Sequence, residues 1–204
     1  MFDGRFKTQI ERYVRPVGES LRRTGLSPDH FTLLGLCVAA ASAVAIGAGK
    51  MQLGLLLVIC SALPDLLDGA LAKASNSASQ RGAFFDSVVD RVSDSFLFGG
   101  VAWFYASSDT PQFSIVPFAI LGASLIISYE RAKAESLGLY AKGGLMERAE
   151  RIILLCFGLL FDSLLKWVMV VMLVLVVMTA VQRFVKVWKQ AAVAPVTAEK
   201  QAIR

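Results

Sequence analysis

Asp65, Asp68, Asp86 and Asp90 are four carboxylates set in an otherwise apolar stretch of chain. The first pair is spaced i,i+3 and the second i,i+4, so each pair lies on one face of a helix. An ionised carboxylate at the centre of a membrane-spanning helix costs roughly 2.5–3.5 kcal/mol on insertion scales. Four like charges brought close together in a low-dielectric site cannot all stay ionised without counter-charge. Lys73 and Arg91 are the nearest cations in sequence, too few to neutralise them. Hard oxygen donors suit Mg²⁺, Mn²⁺ or Ca²⁺, and a pair of such ions is a standard device for in-line displacement at phosphorus. A carboxylate not wholly committed to metal can take the proton of a hydroxyl nucleophile. A polar hairpin satisfied by its neighbours, or a cation-conducting path, would account for a single such aspartate. Four at these spacings, beside Gly69 and Gly82, favour a metal site.

The elements that carry them are membrane spans. The chain has 204 residues, is 55% hydrophobic and has a mean hydropathy of +0.59, values that soluble domains rarely reach. Apolar windows of about 20 residues fall at 30–49, 52–73, 83–106, 113–132, 149–162 and 165–188. The expected fold is therefore all-α, an integral membrane bundle of six transmembrane helices. Residues 1–25 precede it as an amphipathic interfacial helix, with Phe2, Phe6, Ile10, Tyr13, Val14 and Val17 on one face. That segment reads as mixed-charge rather than as a secretory leader. Residues 26–190 form the transmembrane domain and 191–204 a cytoplasmic tail. Pro117 can kink the fourth span. Gly35, Ala39, Ala43 and Gly47 form a small-residue stripe on the first, suited to close packing inside the monomer or between copies.

Charge then orients the spans. Basic residues crowd the N-terminus, the 73–81 loop, the 131–151 region and the C-terminus, whereas the opposite side holds only Lys50 and Lys166. The positive-inside rule puts both termini in the cytoplasm of a multi-pass cell-membrane protein. Both aspartate pairs then lie at the cytoplasmic rim, on a helical hairpin closed by the short linker 74–81. Other chemistries find little support. Cys37, Cys60 and Cys156 sit in apolar segments, and His30 is the only histidine, so neither a disulfide nor a zinc site is expected. The net charge of +5 flanks apolar spans rather than forming a basic stretch interleaved with aromatics, which excludes nucleic acid as a partner.

The string DLLDGALAKASNSASQRGAFFDSVVD (65–90) resembles the signature of the CDP-alcohol phosphatidyltransferases, D-x2-D-G-x2-A-R-x8-9-G-x3-D-x3-D. One position departs: Lys73 stands where the signature carries arginine, keeping the charge without the bidentate fork. The resemblance implies six transmembrane helices and two divalent ions per site, Mg²⁺ or alternatively Mn²⁺, held by Asp65, Asp68, Asp86 and Asp90. It implies that Asp90 is also the catalytic base, and that Gly69, Lys73, Ser79 and Gly82 line a pocket for CDP-diacylglycerol. Pro28-Asp29-His30-Phe31-Thr32 matches the family's P-[ND]-x-x-T segment, so Asp29 and Thr32 are implied nucleotide contacts. A homodimer is a reasonable assembly on the same grounds.

Within that family the chain is most similar to the actinobacterial phosphatidylinositol phosphate synthases, through residues 128–152, Asp90-Arg91-Val92-Ser93-Asp94 and Gln182-Arg183. Arg131 and Lys133 with Arg148 and Arg151 bracket a Gly-rich turn, and an acceptor carrying its own phosphate requires such a basic pocket. The resemblance implies transfer of the phosphatidyl group to 1D-myo-inositol 3-phosphate with release of CMP. Lys133, Arg148 and Arg183 are the leading acceptor-phosphate ligands, followed by Arg131 and Arg151. The nearest alternative is phosphatidylglycerophosphate synthesis from glycerol 3-phosphate. A cation transporter is the alternative of a different class, but it requires carboxylates spread across membrane depth.

Overall fold

The computed structural model of the chain describes residues 28–62, 80–141 and 143–193. The expected N-terminal interfacial helix, Asp65, Asp68, Gly69, Lys73 and Ser79, and the tail beyond 193 lie outside the described residues. Among those described, all regular structure is helical: α1 (Pro28–Gly47), α2 (Met51–Ala62), α3 (Gln80–Ala106), α4 (Ile115–Ser136), α5 (Arg148–Leu160) and α6 (Leu165–Val193). Short 3₁₀ turns, Pro111–Ser114 and Asp162–Leu164, lead into α4 and α6. Five of the expected spans coincide with a helix, and the second, 52–73, does so as far as Ala62, its remainder lying outside the described residues.

Three of them, Asp29–Gly47, Pro111–Ser136 and Asp162–Ala192, are long and apolar enough to cross a membrane. The others fall short for separate physical reasons. The 13 residues of α5 rise about 20 Å, less than the ~30 Å hydrocarbon core. Helix α3 is long enough but carries Arg81, Asp86, Asp90, Arg91 and Asp94 in its first half. Its 27 residues reach about 40 Å, so only about 10 Å of it, the turns that carry Arg81 and Asp86, can stand outside a core of ~30 Å. On α6, Trp167 and Trp188 are both exposed. Their 21-residue separation corresponds to about 31 Å, the spacing of two interfacial aromatic belts.

The chain forms two compact units. The first comprises residues through Ile115 with Leu159–Asp162. Here α1 packs along α3, and the small-residue stripe is what allows it. Ala39 and Ala43 are buried. A methyl group added at Gly100 would lie 2.6 Å from the Ala43 carbonyl oxygen, and one at Gly47 would lie 2.1 Å from the Trp103 ring. The stripe is therefore occupied within the monomer. Helix α1 ends in a Schellman turn, with Gly49 N–H donating to Ile46 O (2.9 Å) and Lys50 N–H to Ala45 O (2.9 Å). Gly49 takes φ +77, the left-handed conformation this cap requires. Helix α2 returns beside α1, tied by Ser42 Oγ donating to Gly54 O at 3.0 Å. Tyr105 closes the far end of α3 edge-on against Phe113.

The second unit comprises Val116–Gly158 and Ser163 onward. Its core stripes are Ile120, Ser124 and Ile127 on α4, Leu155 on α5, and Met169, Met172 and Val176 on α6. Pro117 falls in the first turn of α4, where its missing N–H leaves no helical bond unmade, so it starts the helix rather than kinking it. Gly138, at φ +72, ends α4 with a second Schellman turn, Leu139 N–H donating to Ala134 O at 2.8 Å.

The interlock of α1 with α3 yields a specific expectation. Gly99 has nothing within 4 Å of an added methyl. Gly99→Ala should leave thermal stability in detergent unchanged or slightly raised, whereas Gly100→Ala should destabilise by about 1–3 kcal/mol. Equal melting temperatures for the two variants would contradict this packing.

Candidate active site

In the first unit the acidic candidates lie on α3. Asp86 and Asp90 occupy its second and third turns, i,i+4 on a continuous helix, which places them about 6 Å apart along the axis. Asp86 is exposed and Asp90 half-buried. Arg91 Nη1 lies 3.6 Å from Asp90 Oδ2 while donating to Ser87 O at 2.7 Å, so the guanidinium is anchored beside the carboxylate. The first turn of α3 also meets the first turn of α1: Arg81 Nη2 approaches Asp29 Oδ2 at 3.8 Å. Both groups are solvent-exposed, so the pair contributes at most about 1 kcal/mol. It marks Asp29 and the buried Thr32 as lying at the same end of the unit as Gly82.

Asp86 and Asp90 offer anionic oxygens at a helix end, a donor type that fits a hard divalent cation. They supply two of the four expected ligands. Among the described residues no group of three or more His, Cys, Asp and Glu side chains is gathered to hold a metal. One carboxylate was missed in the sequence. Asp94 continues the i,i+4 series one turn further and is only 5% exposed. The spacing 86–90–94 was the available signal.

The basic candidates belong to the second unit. Arg131 and Lys133 stand near the end of α4 and Arg148 and Arg151 on the first turn of α5, with Arg183 on α6. Lys133 is exposed, and Arg131 and Arg148 are half-buried. Arg151 and Arg183 are buried, at 3% and 4% exposure. Arg183 is committed to the protein: Nη1 donates to Ile127 O at 3.0 Å and Nη2 to Gly143 O at 2.9 Å. The same Nη2 faces Glu147 Oε1 at 3.4 Å. Arg151 Nη1 points to Met146 O at 3.4 Å, and Arg131 Nε is bonded to Glu135 Oε1 at 3.0 Å. Glu130, Glu147, Arg131 and Arg151 all stand within electrostatic range of Arg183. The basic residues are thus interleaved with glutamates. Lys133 and Arg148 are more exposed than the buried Arg151 and Arg183, which makes them the more accessible to a soluble anion.

A role as strut has a stability signature. Arg183→Met would leave the Ile127 and Gly143 carbonyls without their donor, each a loss of about 1–3 kcal/mol where buried. The variant should melt well below the parent, while Lys133→Ala should melt with it. An unchanged melting temperature for Arg183→Met would show that its hydrogen bonds contribute nothing to the fold.

The profile of the CDP-alcohol phosphatidyltransferases matches residues 26–182. Archaetidylinositol phosphate synthase of Methanothermobacter thermautotrophicus is 34% identical over 190 residues, covering 91% of this chain and 93% of that one. The crystal structure of Mycobacterium tuberculosis phosphatidylinositol phosphate synthase with CDP-diacylglycerol bound superimposes with a TM-score of 0.83 at 34% identity, covering 91% of this chain and 99% of that one. The same enzyme in complex with manganese and citrate gives 0.83 at 33% identity, with coverage of 90% and 93%.

Proposed function

Because the chain belongs to the CDP-alcohol phosphatidyltransferase family, we propose that it transfers the phosphatidyl group of CDP-diacylglycerol to 1D-myo-inositol 3-phosphate, releasing CMP. The observation that carries the reading is the signature 65–90, with Asp86 and Asp90 on one face at the head of α3. Two relatives that differ in lipid, one phosphatidyl and one archaetidyl, share inositol phosphate in their names. That shared element favours this acceptor over glycerol 3-phosphate.

Each group has a definite task. Asp65, Asp68, Asp86 and Asp90 hold two Mg²⁺ ions, or Mn²⁺, which when bound supply Lewis-acid stabilisation of charge on the diphosphate oxygens. A relative crystallised with manganese supports that choice. Asp29, Thr32, Gly69, Lys73, Ser79 and Gly82 receive the cytidine diphosphate. Asp90 accepts the proton of the acceptor hydroxyl as its oxygen bonds to the β-phosphorus, and the bond from that phosphorus to the bridging oxygen breaks, so CMP leaves. Arg91, anchored on Ser87 O, offers the Asp90 carboxylate a counter-charge at 3.6 Å. Lys133 and Arg148 bind the acceptor phosphate, assisted by Arg131, Arg151 and Arg183. The chain crosses the cell membrane six times, with its termini and these residues on the cytoplasmic side, because one substrate is a lipid and the other is soluble. A homodimer remains compatible, but its interface must use a surface other than the stripe on α1.

Purified protein in lipid should release CMP from CDP-diacylglycerol when given inositol 3-phosphate and a divalent cation, and chelation should stop it. Asp90→Ala should lose about 10²–10⁴-fold in rate while remaining folded. Arg148→Ala should chiefly raise the KM for inositol 3-phosphate. Turnover with glycerol 3-phosphate alone would overturn the acceptor, and turnover by Asp90→Ala near the parent rate would overturn the base.

A further inference from the structure

Thr179, Arg183, Lys186 and Gln190 fall within about 60° of one another around α6, at 100° per residue. They continue the buried stripe of Met169, Met172 and Val176 as a polar row. Three of them grip the backbone of the 137–147 loop at successive points. The Gln190 side-chain amide pairs with Tyr140 as a neighbouring strand would, accepting from Tyr140 N–H at 3.0 Å and donating to Tyr140 O at 2.8 Å. Arg183 holds Gly143 O at 2.9 Å. Thr179 Oγ1 accepts from Met146 N–H at 3.1 Å and donates to Leu175 O at 2.8 Å. The loop therefore runs antiparallel along α6, 140 beside 190, 143 beside 183 and 146 beside 179. It lies close: a methyl at Gly144 would stand 2.6 Å from Thr179 Cγ2. Lys186 Nζ caps the Tyr140 ring from 4.7 Å.

This loop contains Gly138, Gly143 and Gly144 and no regular structure. Left to itself, such a segment would sample many conformations. It joins the end of α4, with Arg131 and Lys133, to the start of α5, with Arg148 and Arg151. Arg148 is only two residues beyond the Met146 N–H that Thr179 holds. Where the loop is fixed, the spacing between the two pairs of cations is fixed. A binding site whose ligands are held before the anion arrives does not have to order them on binding.

We propose that Thr179 and Gln190 are positioning residues for the acceptor: they strap the 137–147 loop onto α6 and thereby hold Lys133 and Arg148 at the separation that a phosphate monoester requires. The proposal rests on the reading of these cations as acceptor ligands. Neither residue touches the substrate; both act through the loop backbone.

Thr179→Val removes the hydroxyl while keeping the side-chain shape, and Thr179→Ser keeps the hydroxyl. Gln190→Ala removes both bonds to Tyr140. Hydrogen exchange by mass spectrometry on the 137–147 peptides should show faster exchange in Thr179→Val and Gln190→Ala. The same variants should raise the KM for the phosphorylated acceptor about five- to tenfold, while the KM for CDP-diacylglycerol and kcat stay within about twofold. Thr179→Ser should restore both exchange and KM. Unchanged loop exchange would overturn the strap, and a loosened loop with an unchanged acceptor KM would overturn its positioning role. Equal losses in both substrates' KM and in kcat would mark a general loss of structure and also overturn it. Wild-type protein should be assayed with inositol 3-phosphate and with glycerol 3-phosphate, and the KM read with whichever turns over. An inert wild type would sink the functional reading itself, a result distinct from active wild type with indifferent variants.

Discussion

Charge is excluded from hydrocarbon, and that exclusion arranges this molecule. Each of the long apolar helices turns polar only towards an end, and the residues with chemical potential stand there. On α3 they are Asp86 and Asp90, in its second and third turns. In the second unit they are Lys133 near the end of α4, Arg148 at the start of α5 and the row from Thr179 to Gln190 on α6. A catalyst that must meet a lipid diphosphate and a water-soluble phosphate gains from this constraint, because its reactive groups belong at the boundary between the two phases.

The two units hold their charged ends in place by different means. In the first, the hydrophobic effect offers little inside a bilayer, and association depends on how closely the helices approach. Ala43 against Gly100, and Gly47 against Trp103, provide that approach, so α1 and α3 share a fixed register. The Arg81–Asp29 pair then lies where the register leaves it and is too exposed to enforce it. In the second unit, hydrogen bonds predominate. Arg183 is buried with two carbonyls and a glutamate around it, an arrangement in which removing either side leaves polar atoms unsatisfied. The result is a loop hydrogen-bonded to α6 at successive points of its backbone.

Family membership joins these parts into one activity. The acidic face of α3 carries half of the signature that resembles that of the CDP-alcohol phosphatidyltransferases, and the proposed role of the basic residues is to receive the acceptor's phosphate. An anionic acceptor requires cations that are accessible and not already matched by glutamates. Lys133 and Arg148 are more accessible than the buried Arg151 and Arg183. The rank of these residues by chemistry alone and their rank by accessibility therefore differ, and accessibility is the physical property that a soluble ligand responds to.

Much of this was legible in the chain itself. The Asp pairs, the Gly and Ala spacing around them and the apolar windows are local patterns, and helices at 28–47, 80–106, 115–136, 148–160 and 165–193 followed where hydropathy placed them, within a few residues. The metal-type donors at 86 and 90 were equally legible, because i,i+4 spacing on a helix is a property of sequence alone. What the chain could not disclose is which partner each residue takes. Whether the stripe from Gly35 to Gly47 faces another copy or α3 depends on Gly100, more than 50 residues away. Arg183 has the same formula as a phosphate ligand and as a strut; Ile127 O and Gly143 O decide between them. Thr179 and Gln190 carried no signal at all, since a hydroxyl and an amide on an apolar helix acquire meaning only from the backbone that folds against them. Local spacing specifies which groups can do chemistry; only long-range packing decides which are left free to do it.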